Sequence, residues 1–260
     1  MIFDSHVHTD FSGDSDMKIA DAIKRADELG IGLVITDHMD INDYIKNRSG
    51  FDVDKFFEAY TKLRSDKLLL GIELGLREEA VERNVHLVNN YDFDFILGST
   101  HAPYASKHEY EFFDAEVYVG KSKREAYEEY FRSMIRGVKE NEYIDSLAHI
   151  DYIARYSRYD DKELYYNEYK PLIDEVLKEV ALREKSMEIS TRRIGNKTSA
   201  DELMKIYKRF RELGGETVTI GSDGHYPGAI GANLKSGLEM AEACGLKPVY
   251  YKKRKIHFIK

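Results

Sequence analysis

One cysteine and four prolines in 260 residues set the first limits on this chain. A lone thiol, Cys244, has no partner for an intramolecular disulfide, which fits a reducing compartment. Its alanine-rich helical setting reads as core packing, not as a nucleophile. No apolar run approaches the roughly 18 residues that a membrane span requires. The N-terminus passes straight from a strand-like Met1-Ile2-Phe3 to His6, without the basic segment and apolar stretch of a signal peptide. Positive charge is also short: Lys and Arg number 39 against 47 Asp and Glu, a net charge of −8. That balance is the reverse of what a nucleic-acid backbone selects. The run Lys252-Lys253-Arg254-Lys255 is a local exception, most simply a solvated surface strand. These absences leave a cytoplasmic enzyme acting on a small molecule, with no nucleic-acid or membrane partner.

What is present is a repeating order of strand and helix. Strand-like runs are predicted at Ile2–His6, Gly32–Thr36, Lys67–Glu73, Phe93–Ser99, Ile144–Ala148, Ser186–Ser190 and Thr217–Gly221. Helical periodicity fills the gaps: Ile19, Ala22, Ile23, Ala26 and Leu29 share one face before a stop at Gly30. Further helices are predicted at Val53–Arg64, Arg77–Asn89, Lys123–Asn141, Lys162–Arg183, Ala200–Leu213 and Ala232–Ala243, and a short strand pair ends the chain. The segment from Ala102 to about Ser122 is longer than an ordinary connection, as functional lids often are. No linker or composition break interrupts the series, so residues 1–260 are expected to form one domain. Seven β-then-α units imply an α/β fold with a parallel sheet, closed into a TIM-like barrel.

The distribution of histidine supports the closed form. His6, His8, His38, His101, His149 and His225, six of the nine histidines, sit at or just past predicted strand ends. Asp14, Glu73 and Asp223 join them. In His6-Val7-His8 both imidazoles point to one side of the strand, since residues two apart share a face. Imidazole and carboxylate donors together suit Zn, Mn or Fe. An open doubly wound sheet would not bring all seven strand ends to one place, whereas a barrel gathers them at its C-terminal face. His86 in a helix, His108 in the long loop and His257 in the terminal strand carry no such case.

These residues resemble the motifs of the polymerase and histidinol phosphatase (PHP) family, in its histidinol-phosphate phosphatase branch. The stretch from Asp4 to Asp16 is similar to the first motif. Ile35-Thr36-Asp37-His38, Gly71-Ile72-Glu73, Ser99-Thr100-His101, Ala148-His149 and Gly221-Ser222-Asp223-Gly224-His225 match the others in order. The resemblance runs from Ile2 to Lys260 and implies a distorted (β/α)7 barrel with a trinuclear centre at the C-terminal strand ends. It implies that His6, His8, Glu73 and Asp223 hold one metal, that Glu73 bridges to a second held with His101 and His149, and that Asp14, His38 and His225 hold a third. A carboxylate at position 14, where some relatives carry histidine, slightly favours a harder ion.

The chemistry implied is hydrolysis of a phosphate monoester, most simply L-histidinol phosphate in histidine biosynthesis. Three divalent cations, set against Asp14, Glu73, Asp223 and a bridging hydroxide, leave a surplus of about two positive charges that a monoester dianion would neutralise. The hydroxide would attack phosphorus in line, with no phosphoenzyme. Glu73, Asp223, His225 and Asp37 are the expected catalytic residues, with Asp37, Asp40 or a metal-bound water protonating the leaving alkoxide. Arg155 and Arg192 are the expected phosphate clamps, ahead of Arg193, because a guanidinium fork matches two phosphoryl oxygens. Histidinol phosphatases of the family use arginines from these two loops. Asp40, Tyr104, Glu109 and Tyr110 are expected at the rim, facing the ammonium and imidazole of the substrate. Rival readings keep the metals but change the substrate to a phosphodiester, a nucleic-acid end or phosphotyrosine, or discard catalysis for metal storage.

Overall fold

The computed structural model describes residues 1–40, 51–105 and 110–259. His108, Glu109 and Lys260 therefore lie outside the described residues. The strands are β1 (Phe3–Val7), β2 (Gly32–Ile35), β3 (His38–Met39), β4 (Leu68–Gly75), β5 (Phe95–Ser99), β6 (Ser146–Leu147), β7 (Ser186–Ser190), β8 (Thr217–Gly221), β9 (Lys247–Lys252) and β10 (Lys255–Phe258). The α-helices are α1 (Ile19–Leu29), α2 (Val53–Tyr60), α3 (Val81–Asn90), α4 (Lys123–Glu140), α5 (Ile153–Tyr156), α6 (Tyr166–Leu182), α7 (Lys197–Glu212) and α8 (Leu234–Ala243). No described helix is long and apolar enough to cross a membrane.

Strands β1, β2, β4, β5, β6, β7 and β8 run parallel in that order. They account for each of the seven strands read from the sequence. A parallel strand covered on both faces must be apolar almost throughout, and all of β4, Leu-Leu-Leu-Gly-Ile-Glu-Leu-Gly, is buried. Gly71 is required there, because a Cβ would meet the Phe95 carbonyl oxygen at 2.8 Å. Outside the sheet the helices close the core; α4 starts from a capping box between Ser122 and Glu125 and buries Ala126, Tyr127, Tyr130, Phe131, Met134 and Val138.

The sheet closes unevenly. At the C-terminal strand ends β1 meets the residues after β8 through a bridge between Val7 and Gly224, with the His8 N–H donating to the Gly224 carbonyl at 2.9 Å. At the opposite end the gap is filled by β9, parallel to β8, and its antiparallel partner β10. Phe3 stacks on Tyr250 at 4.0 Å between ring centroids. Val249 and Tyr251 pack with Phe3, Val34, Leu69, Phe95, Leu97 and Ala148 in the barrel interior. The Tyr251 hydroxyl meets Ser186 Oγ at 2.9 Å and donates to the Asp145 carbonyl at 3.1 Å.

The basic run at 252–255 thus spans a surface hairpin: Lys252 ends β9, Lys255 opens β10, and Lys253 and Arg254 form the turn. Lys253 and Arg254 both have left-handed φ, 51° and 62°, as a two-residue hairpin turn of this hand requires. The Asp94 carboxylate and carbonyl accept their two N–H groups at 2.9 Å each. Arg254 reaches further, donating from Nε to the buried Asp145 at 2.5 Å and to the Tyr143 carbonyl. Arg254→Ala should lower stability by about 3 kcal/mol, the cost of leaving a buried charge without its partner. Urea unfolding would measure it, and a midpoint unmoved within error would show that the hairpin is not a clamp.

Candidate metal centre

The barrel brings all nine expected donors to one point above the sheet. Side chains alternate along a strand, so Leu69, Gly71 and Glu73 share the inward face of β4, with Glu73 uppermost. The register of β3 on β4 sets His38 beside Glu73. His6 and His8 come from the end of β1, His101 and His149 from just past β5 and β6, and Asp223 and His225 from just past β8. Asp14 reaches in from the loop before α1.

Glu73, with no solvent exposure, is the hub. Its Oε2 lies 2.7 Å from His38 Nδ1, 3.3 Å from His6 Nε2 and 3.6 Å from His8 Nε2. Its Oε1 lies 2.9 Å from His149 Nε2 and 3.3 Å from His101 Nε2. Asp223 Oδ1 stands 3.3 Å from His8 Nε2 and 3.5 Å from His225 Nδ1, and Asp14 Oδ2 stands 3.1 Å from His225 Nε2. The donors fall into overlapping sets compact enough for a cation each: His6, His8 and Glu73; Glu73, His101 and His149; His8, His38 and His225.

Two observations bear on whether these residues suit cations. First, His6 Nε2, His8 Nε2, His38 Nδ1, His101 Nε2 and Glu73 Oε2, all facing the cluster, are buried without a hydrogen bond of good geometry. Each such atom costs about 1–3 kcal/mol unless something binds it. Second, the opposite ring nitrogens are fastened: His6 Nδ1 to Glu188 at 2.6 Å, His8 Nδ1 to Ser12 Oγ at 3.0 Å, and His101 Nδ1 to Asp40 Oδ2 at 3.0 Å. One nitrogen held from behind and the other aimed inward is the arrangement of a metal-ligating histidine. Burial alone would raise the Glu73 carboxyl, but the neighbouring His6, His38 and His101 outweigh it and hold Glu73 well below the usual carboxylate range.

Both expected arginines converge on Asp223. Arg155, itself buried, donates to Asp223 Oδ2 and to Ser190 Oγ at 2.9 Å. Arg192 reaches the same Oδ2 at 3.1 Å, with its side chain 43% exposed. Arg193 turns away to Asp151 at 3.2 Å and Glu163 at 2.9 Å.

Other expectations require correction. Asp37 is fully buried and does not line the cleft. Its oxygens accept from the Thr9 N–H at 2.5 Å, the Thr9 hydroxyl at 2.7 Å and the Ser12 hydroxyl at 2.7 Å. It holds the loop that carries Ser12, the partner of His8, and is not placed to protonate a leaving group. Tyr104 is not at the rim; it is buried, and its hydroxyl donates to Glu140 at 2.7 Å. Tyr110 is part-exposed but does not line the cleft. The cleft over the centre, about 400 Å³, is walled by Asp40 and by Glu111, Phe113, Tyr152, Tyr156 and Arg158. Tyr152 and Tyr156 follow His149 at one-turn spacing, a signal that periodicity offered. His86 and His257 lie elsewhere, on α3 and β10.

Sequence reading also missed two buried carboxylates. Glu188 stands mid-strand in β7 beneath His6. Asp4 accepts from the Ser222 N–H at 2.8 Å, the Ser222 hydroxyl at 2.6 Å and the Gly231 N–H at 2.8 Å. It thereby anchors Asp223, whose φ of 55° is left-handed. Such a conformation costs about 1–3 kcal/mol and persists where surroundings enforce it.

Fold and site together define a parallel α/β barrel with a buried histidine and carboxylate cluster, able to bind metal, at the C-terminal strand ends. The chain belongs to the PHP domain family, whose model matches residues 4–192. It is 48% identical over 254 residues to a probable histidinol-phosphatase of Clostridium acetobutylicum, covering 98% of each. It is 28% identical to the histidinol-phosphatase of Lactococcus lactis, over 85% of this chain and 83% of that one. The crystal structure of histidinol phosphate phosphatase from Lactococcus lactis, complexed with zinc, L-histidinol and phosphate, superposes with a TM-score of 0.81 at 24% identity, covering 98% of both chains. That likeness establishes the shared fold.

Proposed function

We propose that this chain is a histidinol-phosphatase, hydrolysing L-histidinol phosphate to L-histidinol and phosphate in histidine biosynthesis, and that it works in the cytoplasm. The observation that carries the reading is one cleft with inward-aimed donors beneath it, two guanidinium groups beside it and an acidic, aromatic wall above. The 48% identical relative carries the same activity in its name. This reading assigns three cations, with Glu73 shared, His6, His8 and Asp223 on one side, His101 and His149 on the other, and Asp14, His38 and His225 outermost. Zn, Mn and Fe all suit such donors. Bound there, the cations supply Lewis acidity toward the phosphoryl oxygens and the field that makes water a nucleophile near neutral pH.

The protein's own groups do the rest. Arg192, the more exposed clamp, can turn from Asp223 to a phosphoryl oxygen, while Arg155 stays behind it and fixes Asp223. Burial would raise the Asp40 carboxyl, but adjoining His101 more than offsets this and keeps it below its ordinary value. Asp40 therefore suits an ammonium group better than it suits proton donation. Glu111 adds acidity to the same wall, and Phe113, Tyr152 and Tyr156 offer ring faces to an imidazole.

Phosphate release should be at least about a hundredfold faster, per kcat/KM, from histidinol phosphate than from phosphotyrosine or a dinucleotide. Chelation should remove it and zinc or manganese should restore it. Turnover that survives complete metal removal, or a preference for the dinucleotide, would refute the assignment. Arg192→Ala should cut kcat/KM by about tenfold or more; an unchanged value would take Arg192 out of the phosphate site.

A further inference from the structure

We infer that Glu188 is a positioning residue of the cation centre, deciding which nitrogen of His6 faces inward and where the backbone of His149 stands. Glu188 shares the inward face of β7 with Ser186 and Ser190 and is 1% exposed. Its Oε1 lies 2.6 Å from His6 Nδ1, and its Oε2 accepts from the His149 N–H at 2.8 Å. The two histidines arrive from opposite sides of the barrel and address opposite oxygens of Glu73, His6 at Oε2 and His149 at Oε1. One carboxylate thus sets the separation of both halves of the centre.

A direct ligand role is disfavoured by the geometry. His6, His149 and Glu188 are near enough to one another to share a cation. That arrangement would need His6 Nδ1, which already faces Glu188 at hydrogen-bond distance. His6 Nε2, buried without a hydrogen bond of good geometry, is the nitrogen that faces Glu73 and Asp223. A carboxylate only accepts, so His6 must carry its proton on Nδ1, leaving the Nε2 lone pair for a cation. Glutamine has one accepting and one donating end, and so cannot serve both partners. The packing leaves no room for adjustment: a Cβ on Gly221 would fall 2.4 Å from His6 Cβ and 2.5 Å from Glu188 Oε1. Tyr207 fixes the strand itself by donating to the Glu188 carbonyl at 2.6 Å.

The inference rests on the cluster being a cation centre, and the tests separate the two. In zinc-loaded wild-type protein, long-range proton–nitrogen spectra should place the His6 proton on Nδ1; a proton on Nε2 would overturn the inference without any variant. E188Q should bind zinc about 10–100-fold more weakly, read by competition with a chromophoric chelator, and its turnover of histidinol phosphate should recover as zinc is raised. E188D, which keeps the charge but withdraws the oxygens, should also lose affinity. Wild-type zinc affinity in a folded E188Q would overturn the role of Glu188 alone. Failure of the wild-type chain to take up zinc would instead defeat the reading of the centre.

Discussion

Glu73→Gln will reduce kcat on histidinol phosphate by more than about a hundredfold. Losing a group that merely supports a ligand costs about 10–100-fold in metal affinity or activity, and Glu73 is the group on which the clustered histidines meet. Its two oxygens lie within 3.6 Å of nitrogens from His6, His8, His38, His101 and His149. Glutamine matches its volume but removes the one full negative charge at the middle of the cluster. It also presents an amide donor where only acceptors are useful. Elemental analysis should show fewer cations per chain while circular dichroism stays native. A variant within tenfold of wild-type kcat would mean that Glu73 is not the bridge.

Arg155→Ala is expected to lower kcat/KM by two to three decades, because truncating one partner of a buried, hydrogen-bonded charge pair costs about 2–5 kcal/mol. The Arg155 guanidinium spans two acceptors: one nitrogen serves Asp223 and the other Ser190. Without it, Asp223 keeps only the half-exposed Arg192 and loses the contact that holds its carboxylate toward His8. Arg155→Lys should rescue little, since an ammonium cannot reach both acceptors with the geometry of a planar fork. Steady-state kinetics at saturating zinc would separate this loss from weakened cation binding. Activity within threefold of wild type would show that Arg155 does not hold Asp223 for turnover.

The donors were legible in the sequence because a strand end is a place that periodicity can locate. Apart from Asp14, which stands in the loop before α1, each lies at or just past the end of a short apolar run, and the barrel turns that shared position along the chain into nearness in space. Glu188 and Asp4 were not legible for the same reason in reverse. They sit inside strands, where a period of two tells which face a side chain takes but not what stands opposite. Their partners, His6 and Ser222, lie on other strands. The rim depends on the turn after β6 and the described part of the long loop, neither of which has a repeating pattern to fix direction. Tyr104 went inward because α4 offers Glu140 as an acceptor and Arg136 as a cover, 4.6 Å over its ring. Asp37 looked reactive beside His38, yet alternation along the chain turns adjacent residues apart, and it went to Thr9 and Ser12. The basic run was legible as surface, but charge alone could not show that Arg254 turns inward to Asp145.

The seam between β1 and β8 carries one backbone bridge, from Val7 to Gly224, beside the Asp4–Ser222 bonds, and clustered side chains stand on both of its banks: His6 and His8 on one, Asp223 and His225 on the other. An ion gripped from both sides would be a rivet through that join of the barrel. Whatever free energy the ion gains on binding is added to that of the closed molecule. Metal starvation would then threaten the survival of the protein itself and not merely its turnover, since an unfastened join exposes two strand edges to other chains.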